Sequence, residues 1–207
     1  MIPFIDLQAQ RARIADKIDA GIANVLAHGQ FIFGPEVKTL ESQLAAFAQA
    51  KHCIGNANGT DALAIALKTL GVGHGDVVLT VSHTAVATIV AIRATGASPL
   101  FVEVDEHHGL MDLDVLEAML ITIRERGSPV ALDRVKAIVP VHLYGRAVDM
   151  NRLVAIASGF SLPLVEDCAQ AHGARFGDRP VGSFGAFGCF SFYPTKNLGA
   201  IGDGGAL

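Results

Sequence analysis

The chain has 207 residues with 16 Lys+Arg against 20 Asp+Glu, a net charge of −4. Its cationic residues form no cluster on any predicted helix face, which argues against nucleic acid as a partner. With 51% hydrophobic and only 17% charged residues, it is long enough for a sizeable core and carries apolar surface suited to burial between subunits. The first residues lack the basic start and apolar run of a secretory signal, and no uncharged stretch reaches the roughly 18 residues that cross a bilayer, so no membrane partner is expected.

Residues 2–7, IPFIDL, read as a short extended opening. One amphipathic helix is then expected through Ile14, Ile18, Ile22, Val25 and Leu26, with Gly29 as its stop. A second begins near Pro35 and turns Val37, Leu40, Leu44 and Phe47 to one side. Both read as packing elements. HCIGNANGTDALAIALKTLG gives a short strand, a turn, and a helix from about Thr60 to Gly71. A strand, a glycine-containing turn and a helix N-terminus offer free backbone N–H groups to an anion, although Thr60 can equally be an ordinary cap. No G-x-G-x-x-G or Walker pattern is present.

VVLTV, a helix through Ile89, Ile92 and Ala94, and then PLFVEV alternate strand, helix and strand, as in a mostly parallel sheet with right-handed crossovers. A helix follows with Leu113, Leu116, Met119, Leu120 and Ile123 facing inward. RVKAIVPVHLYG reads as a strand ending at His142–Gly145, and DMNRLVAIASGFSLPLVED as a helix and a strand reaching Asp167. The adjacent His107 and His108 point apart in a strand, and His142 and His172 lack partners at ligand spacing, so no metal site is expected. Cys53, Cys168 and Cys189 are odd in number without a C-x-x-C pair and read as reduced thiols of a cytoplasmic protein.

The most informative stretch is residues 162–205. Two apolar runs, LPLVED and FGCFSFYPTK, end in Asp167 and in the lone amine of Lys196. An amine that condenses with an aldehyde and a carboxylate that keeps a pyridine nitrogen protonated are what Schiff-base chemistry on pyridoxal phosphate needs. As bare residues the two also fit a solvated loop lysine and a helix cap.

VEDCAQAHGA followed by GCFSFYPTKNLGAIGDGG resembles the DegT/DnrJ/EryC1/StrS family of nucleotide-sugar aminotransferases, and the resemblance spans essentially the whole chain. It implies an α/β fold-type-I pyridoxal-phosphate transferase large domain, a three-layer α/β/α unit around a mostly parallel sheet. Lys196 then corresponds to the lysine that holds the cofactor, Asp167 to the contact of the pyridine nitrogen, Gln170 to a neighbour of the ring hydroxyl, and Ser191, Gly59 and Thr60 to phosphate contacts. Many members place an aromatic residue over the ring where this chain has Ala85, which leaves His83 or another neighbour to cover that face.

The resemblance further implies transfer of an amino group, from an amino-acid donor such as glutamate, to a nucleotide-linked keto sugar in polysaccharide, O-antigen or secondary-metabolite sugar biosynthesis, by a homodimer. The expected organisation is an N-terminal segment and helix over 1–35 and a truncated cofactor-binding large domain over 36–207, with a smaller C-terminal domain absent. Two alternatives are a sugar dehydratase-like relative, which Lys196 argues against because such relatives use histidine there, and a non-catalytic fragment.

Overall fold

The computed structural model describes residues 5–207, so residues 2–4 of the extended opening expected over 2–7 lie outside the described residues, and Leu7 at its end already begins a helix. In chain order the helices are α1 (Leu7–Ala12), α2 (Ala15–His28), α3 (Pro35–Phe47), α4 (Gly59–Thr69), α5 (Val86–Ala94), α6 (Leu113–Arg126) and α7 (Met150–Gly159). The strands are β1 (Gly55–Asn56), β2 (Val77–Val81), β3 (Ser98–Val102), β4 (Val135–Ile138), β5 (Val165–Asp167), β6 (Arg175–Phe176), β7 (Arg179–Pro180), β8 (Phe187–Ser191) and β9 (Gly205–Ala206).

Strand β2 is buried at every position because it is central. It pairs in parallel with β3 on one side and β4 on the other. Parallel bridges Ile138↔Leu164 and Val141↔Asp167 carry the sheet on from β4 to β5. β5 pairs in parallel with β8, while β9 runs antiparallel to both β8 and β1. The order across the sheet is therefore β3-β2-β4-β5-β8-β9-β1, mostly parallel as expected, with β6 and β7 forming a separate hairpin.

Two apolar clusters cover the two faces, and alternation along β2 decides which residue enters which. Leu79 and Val81 join Leu116, Leu120 and Ile123 of α6 and Leu153 and Ile156 of α7. Val78 joins Leu63 and Leu67 of α4 and Ala91 and Ile92 of α5. This is a helix–sheet–helix sandwich in which strands buried on both sides read as continuous apolar runs. The inward face expected for α6 is observed: Leu113, Leu116, Leu120 and Ile123 are buried and Met119 packs against them.

Four expectations are corrected. The long N-terminal helix is two helices, broken where Ile14 adopts φ −134°, and nothing in the residue types there explains the break. Gly29 does stop α2, in the left-handed conformation that suits a glycine cap. Neither α2 nor α3 buries a residue; Ile14, Ile22, Leu26, Leu40 and Phe47 stay exposed and Ile18, Val25, Val37 and Leu44 are half-buried, so their apolar sides are only partly covered within the described residues. The strand expected to run to His142–Gly145 ends at Ile138, because Pro140 has no N–H to extend the ladder and a short 3-10 turn occupies Leu143–Gly145. His107 and His108 lie in a turn, not a strand, with His108 Nδ1 2.8 Å from Asp105 Oδ1.

Candidate active site

At the C-terminal edge of the parallel strands, β4, β5 and β8 end beside the first turns of α4 and α5. Together they enclose a cavity of about 430 Å³. Gly59, Thr60, Asp167, Gln170, Ser191 and Lys196, the residues singled out in the sequence, all line it. Open α/β sheets hold ligands at this edge.

The end nearest α4 is built for an anion. Asn58 caps the helix by accepting the Asp61 N–H at 2.8 Å. Its carbonyl takes the Ala62 N–H at 3.0 Å. The N–H groups of Gly59 and Thr60 have no partner among the described residues. They sit at the positive end of the helix dipole. Ser191, at the end of β8, is buried against this turn. A Cβ on Gly59 would lie 2.6 Å from Ser191 Cβ, so only glycine lets the helix and the strand close to this distance.

The floor is Asp167, the last residue of β5. Thr88 Oγ1 donates to its Oδ2 at 2.8 Å and the Ala169 N–H to its Oδ1 at 3.1 Å. Burial pushes the Asp167 carboxyl above its ordinary pKa, against the pull of those two hydrogen bonds and of the nearby Lys196 charge. A buried carboxylate of this kind gains most from a cation within contact distance. Thr88 is 79 residues away in sequence, and no spacing signal pointed to it.

Lys196 does not sit at the end of a strand, as its apolar run implied. β8 ends at Ser191, and Lys196 lies in a turn closed by its own N–H to Tyr193 O at 2.8 Å and by Ala200 N–H to Phe192 O at 2.7 Å. Gln170 Oε1 accepts the Tyr144 N–H at 3.0 Å, which ties the cavity lip to the segment after β5. Ala85 lines the cavity, whereas His83 does not. The His83 Nδ1 is 3.1 Å from Gly109 O and its ring meets Tyr144 edge-on at 6.1 Å.

His142 is a satisfied core histidine: it is wholly buried, although the cavity reaches it. One of its ring nitrogens, a Glu166 carboxylate oxygen and Cys168 Sγ lie within 4.8 Å of one another. Both ring nitrogens are engaged, Nε2 with Glu166 at 3.1 Å and Nδ1 with the Val148 N–H at 3.2 Å, so this grouping is held together by protein hydrogen bonds. A second cavity of about 480 Å³ lies beyond β8 and β9 among Leu44, Phe47, Phe187, Phe190 and His172. It contains neither Lys196 nor Asp167, which locates the candidate chemistry in the first.

A sequence profile of the DegT/DnrJ/EryC1/StrS aminotransferase family matches residues 12–207. The chain belongs to this family. Among its relatives, UDP-2-acetamido-2-deoxy-3-oxo-D-glucuronate aminotransferase of Pseudomonas aeruginosa is 47% identical over 207 residues, covering 100% of this chain and 55% of the relative. dTDP-3-amino-3,4,6-trideoxy-alpha-D-glucose transaminase of Streptomyces venezuelae is 42% identical over 206 residues, covering 100% of this chain and 52% of the relative. A crystal structure of a family member from Brucella abortus superposes with a TM-score of 0.93 at 43% identity, over 100% of this chain and 54% of that one. NtdA of Bacillus subtilis, solved with the cofactor PMP bound, gives a TM-score of 0.86 at 30% identity over 99% of this chain and 44% of that one. The chain thus has the family's α/β fold and spans about half the length of the curated relatives it matches.

Proposed function

We propose that this chain is the cofactor-binding part of a pyridoxal-phosphate aminotransferase that transfers an amino group, with glutamate as donor, to a nucleotide-linked keto sugar. The observation that carries the reading is the enclosure, by one cavity, of a lysine amine, a buried carboxylate and a helix N-terminus with two unpartnered N–H groups. The similarity to nucleotide-sugar aminotransferases over the whole chain supports the substrate class. The assignment of residues 36–207 to a cofactor-binding domain, a homodimeric whole protein and a cytoplasmic location belong to the same proposal.

The residues present fit the cofactor. The N–H groups of Gly59 and Thr60, with the hydroxyls of Thr60 and Ser191, would hold the phosphate, and the missing Cβ of Gly59 leaves the cradle open. Asp167 would face the ring nitrogen and favour its protonated form, since burial makes its charge expensive without a cation nearby. The amide N–H₂ of Gln170 would be free for the ring hydroxyl because its oxygen is used by Tyr144. Bound there, pyridoxal phosphate supplies a ring that withdraws electrons from the reacting carbon. Lys196 supplies the amine that attaches it and, when free, a base that takes up a proton at Nζ and returns it. Ionised, Asp167 stabilises positive charge at the far end of the ring while that proton moves.

The test is an absorbance titration with pyridoxal phosphate. A visible band that forms with the parent protein and is lost in Lys196→Ala identifies the attachment point. The same band in the variant would assign attachment to another residue. Glutamate-dependent amination of nucleotide keto sugars by the whole protein then tests the donor and the acceptor class.

A further inference from the structure

Glu166 precedes Asp167, is fully buried, and has no part in the chemistry above. Its carboxylate is nevertheless saturated. Oε2 accepts from His142 Nε2–H at 3.1 Å and from the Gly182 N–H at 2.7 Å, while Oε1 accepts from the N–H groups of Phe184 and Gly185, both at 2.7 Å. These fill the lone-pair directions a carboxylate offers. Burial pushes the Glu166 carboxyl up, but hydrogen bonds from His142, Gly182 and Gly185 outweigh it and hold the group below the usual range.

The protonation of His142 follows from geometry. The Val148 N–H donates to Nδ1 at 3.2 Å, so Nδ1 carries no proton, and Nε2 carries the one given to Glu166. His142 is a neutral relay between the backbone of the lip and the carboxylate. Its own backbone N–H donates to Asp167 O at 3.1 Å, and the Asp167 N–H donates to Pro140 O at 2.9 Å.

Three segments converge on Glu166, and each leads into the cavity. Residues 140–148 form the lip; Asp167 is the floor; the turn at residues 182–185 feeds β8, which ends in Ser191. β5 and β8 share only three paired positions, from Val165↔Phe187 to Asp167↔Cys189, so the short ladder alone gives the approach to β8 little definition. We propose that Glu166 and His142 form a buried clasp that fixes the position of Asp167 relative to Ser191, and so sets the span between the ring end and the phosphate end of the site. The proposal rests on the cofactor reading given above. Both members are positioning residues that act through Asp167 and Ser191.

Two substitutions separate the clasp from simple filling of space. His142→Gln keeps an N–H near the position of Nε2; His142→Asn keeps only an acceptor near Nδ1 for Val148. With comparable melting midpoints, His142→Asn is expected to weaken pyridoxal phosphate binding by about tenfold or more, the effect of one lost hydrogen bond to a charged acceptor, and to shift the visible band. His142→Gln should stay within about threefold of the parent, with the parent's spectrum. Equal behaviour of the two variants, whether both like the parent or both weakened, overturns the clasp. Hydrogen exchange at the amides of Gly182, Phe184 and Gly185, measured without cofactor, gives an independent reading: exchange should be faster in His142→Asn than in His142→Gln, and equal rates overturn the proposal. If the parent protein binds no pyridoxal phosphate, the cofactor reading fails and the exchange measurement alone decides the clasp.

Discussion

Thr88 donates its hydroxyl proton to Asp167 Oδ2 at 2.8 Å, both residues being buried, and thereby links α5 to the end of β5. The bond favours the ionised carboxyl against the burial that opposes it. Thr88→Val removes the donor while keeping the shape, so the Asp167 pKa should rise further. The amino-transfer half-reactions are expected to slow by about tenfold or more, and Thr88→Ser should recover most of the rate. Stopped-flow half-reactions of the whole protein across a pH series would check it, and unchanged rates in Thr88→Val would remove the bond from the mechanism.

Asp167→Asn should impair turnover more than cofactor retention. The amide fills the same space, and the anion seat at α4 is untouched, but no negative charge remains to favour a protonated ring nitrogen. Dialysis resistance of bound cofactor, compared with both half-reaction rates, measures the two effects separately. Parallel losses would mean that Asp167 acts chiefly in binding.

At the phosphate end, Thr60→Ala combined with Ser191→Ala should raise the pyridoxal phosphate dissociation constant, each hydroxyl bond to a charged group contributing about 1.5–3 kcal/mol. Gly59→Ala should act differently, since its new Cβ would lie 2.6 Å from Ser191 Cβ and force α4 away from β8. We expect it to lower the melting midpoint as well as the affinity, which calorimetry with and without ligand resolves.

The side-chain oxygen and nitrogen of Asn56 are both buried with no hydrogen-bond partner among the described residues. Asn56→Val should therefore stabilise the protein, by about 1–2 kcal/mol for an unpaired buried amide replaced by a strand-favouring side chain. At this chain length that corresponds to a rise of roughly 2–8 °C in melting midpoint. A lower midpoint would show that the amide has a partner in solution.

His172 stacks near Phe190 and Phe192, with ring centroids 5.5 and 5.8 Å away. Burial lowers its pKa, the hydrogen bond to Asn197 opposes that, and the Lys196 charge adds to the lowering. The unfolded chain binds this proton more readily than the folded one, so stability is complete above the ordinary histidine pKa and declines as pH falls through it. The drop in melting midpoint between about pH 7 and 5 should be shallower in His172→Phe. An equally steep drop would assign the effect to other groups.

Much of this was legible in the sequence because the physics there is local. Val77–Val81 reads as a strand because it is apolar on both sides, and α6 shows its inward face through residues spaced by helical turns. Asp167 and Lys196 stand out as polar residues closing apolar runs. What periodicity cannot supply is the identity of a partner: the apolar sides of α2 and α3 were visible, but not that the described residues cover them only in part. The contacts of Thr88 with Asp167 and of Glu166 with residues 182–185 join segments far apart in the chain, and no single-sequence pattern carries them. The sequence did show Pro140 inside the expected strand, and its missing N–H was the available sign that the strand would stop short.

The reversal of β9 has a kinetic meaning. Because β9 runs against β8, the chain leaves the sheet after Ser191 and returns at Gly205 on the same edge, with Phe192 N–H bonded to Gly204 O at 2.8 Å and Asp203 and Gly204 back among the residues around the cavity. Lys196 therefore rides on a loop moored at both feet beside the cavity, and in the proposed role its amine would search a volume limited by a four-carbon stem. A tether of this kind raises the effective concentration of the amine without any contact to the ligand. Extra residues inserted after Ile201 would leave the sheet intact but slacken the mooring, diluting the amine in proportion to the volume gained.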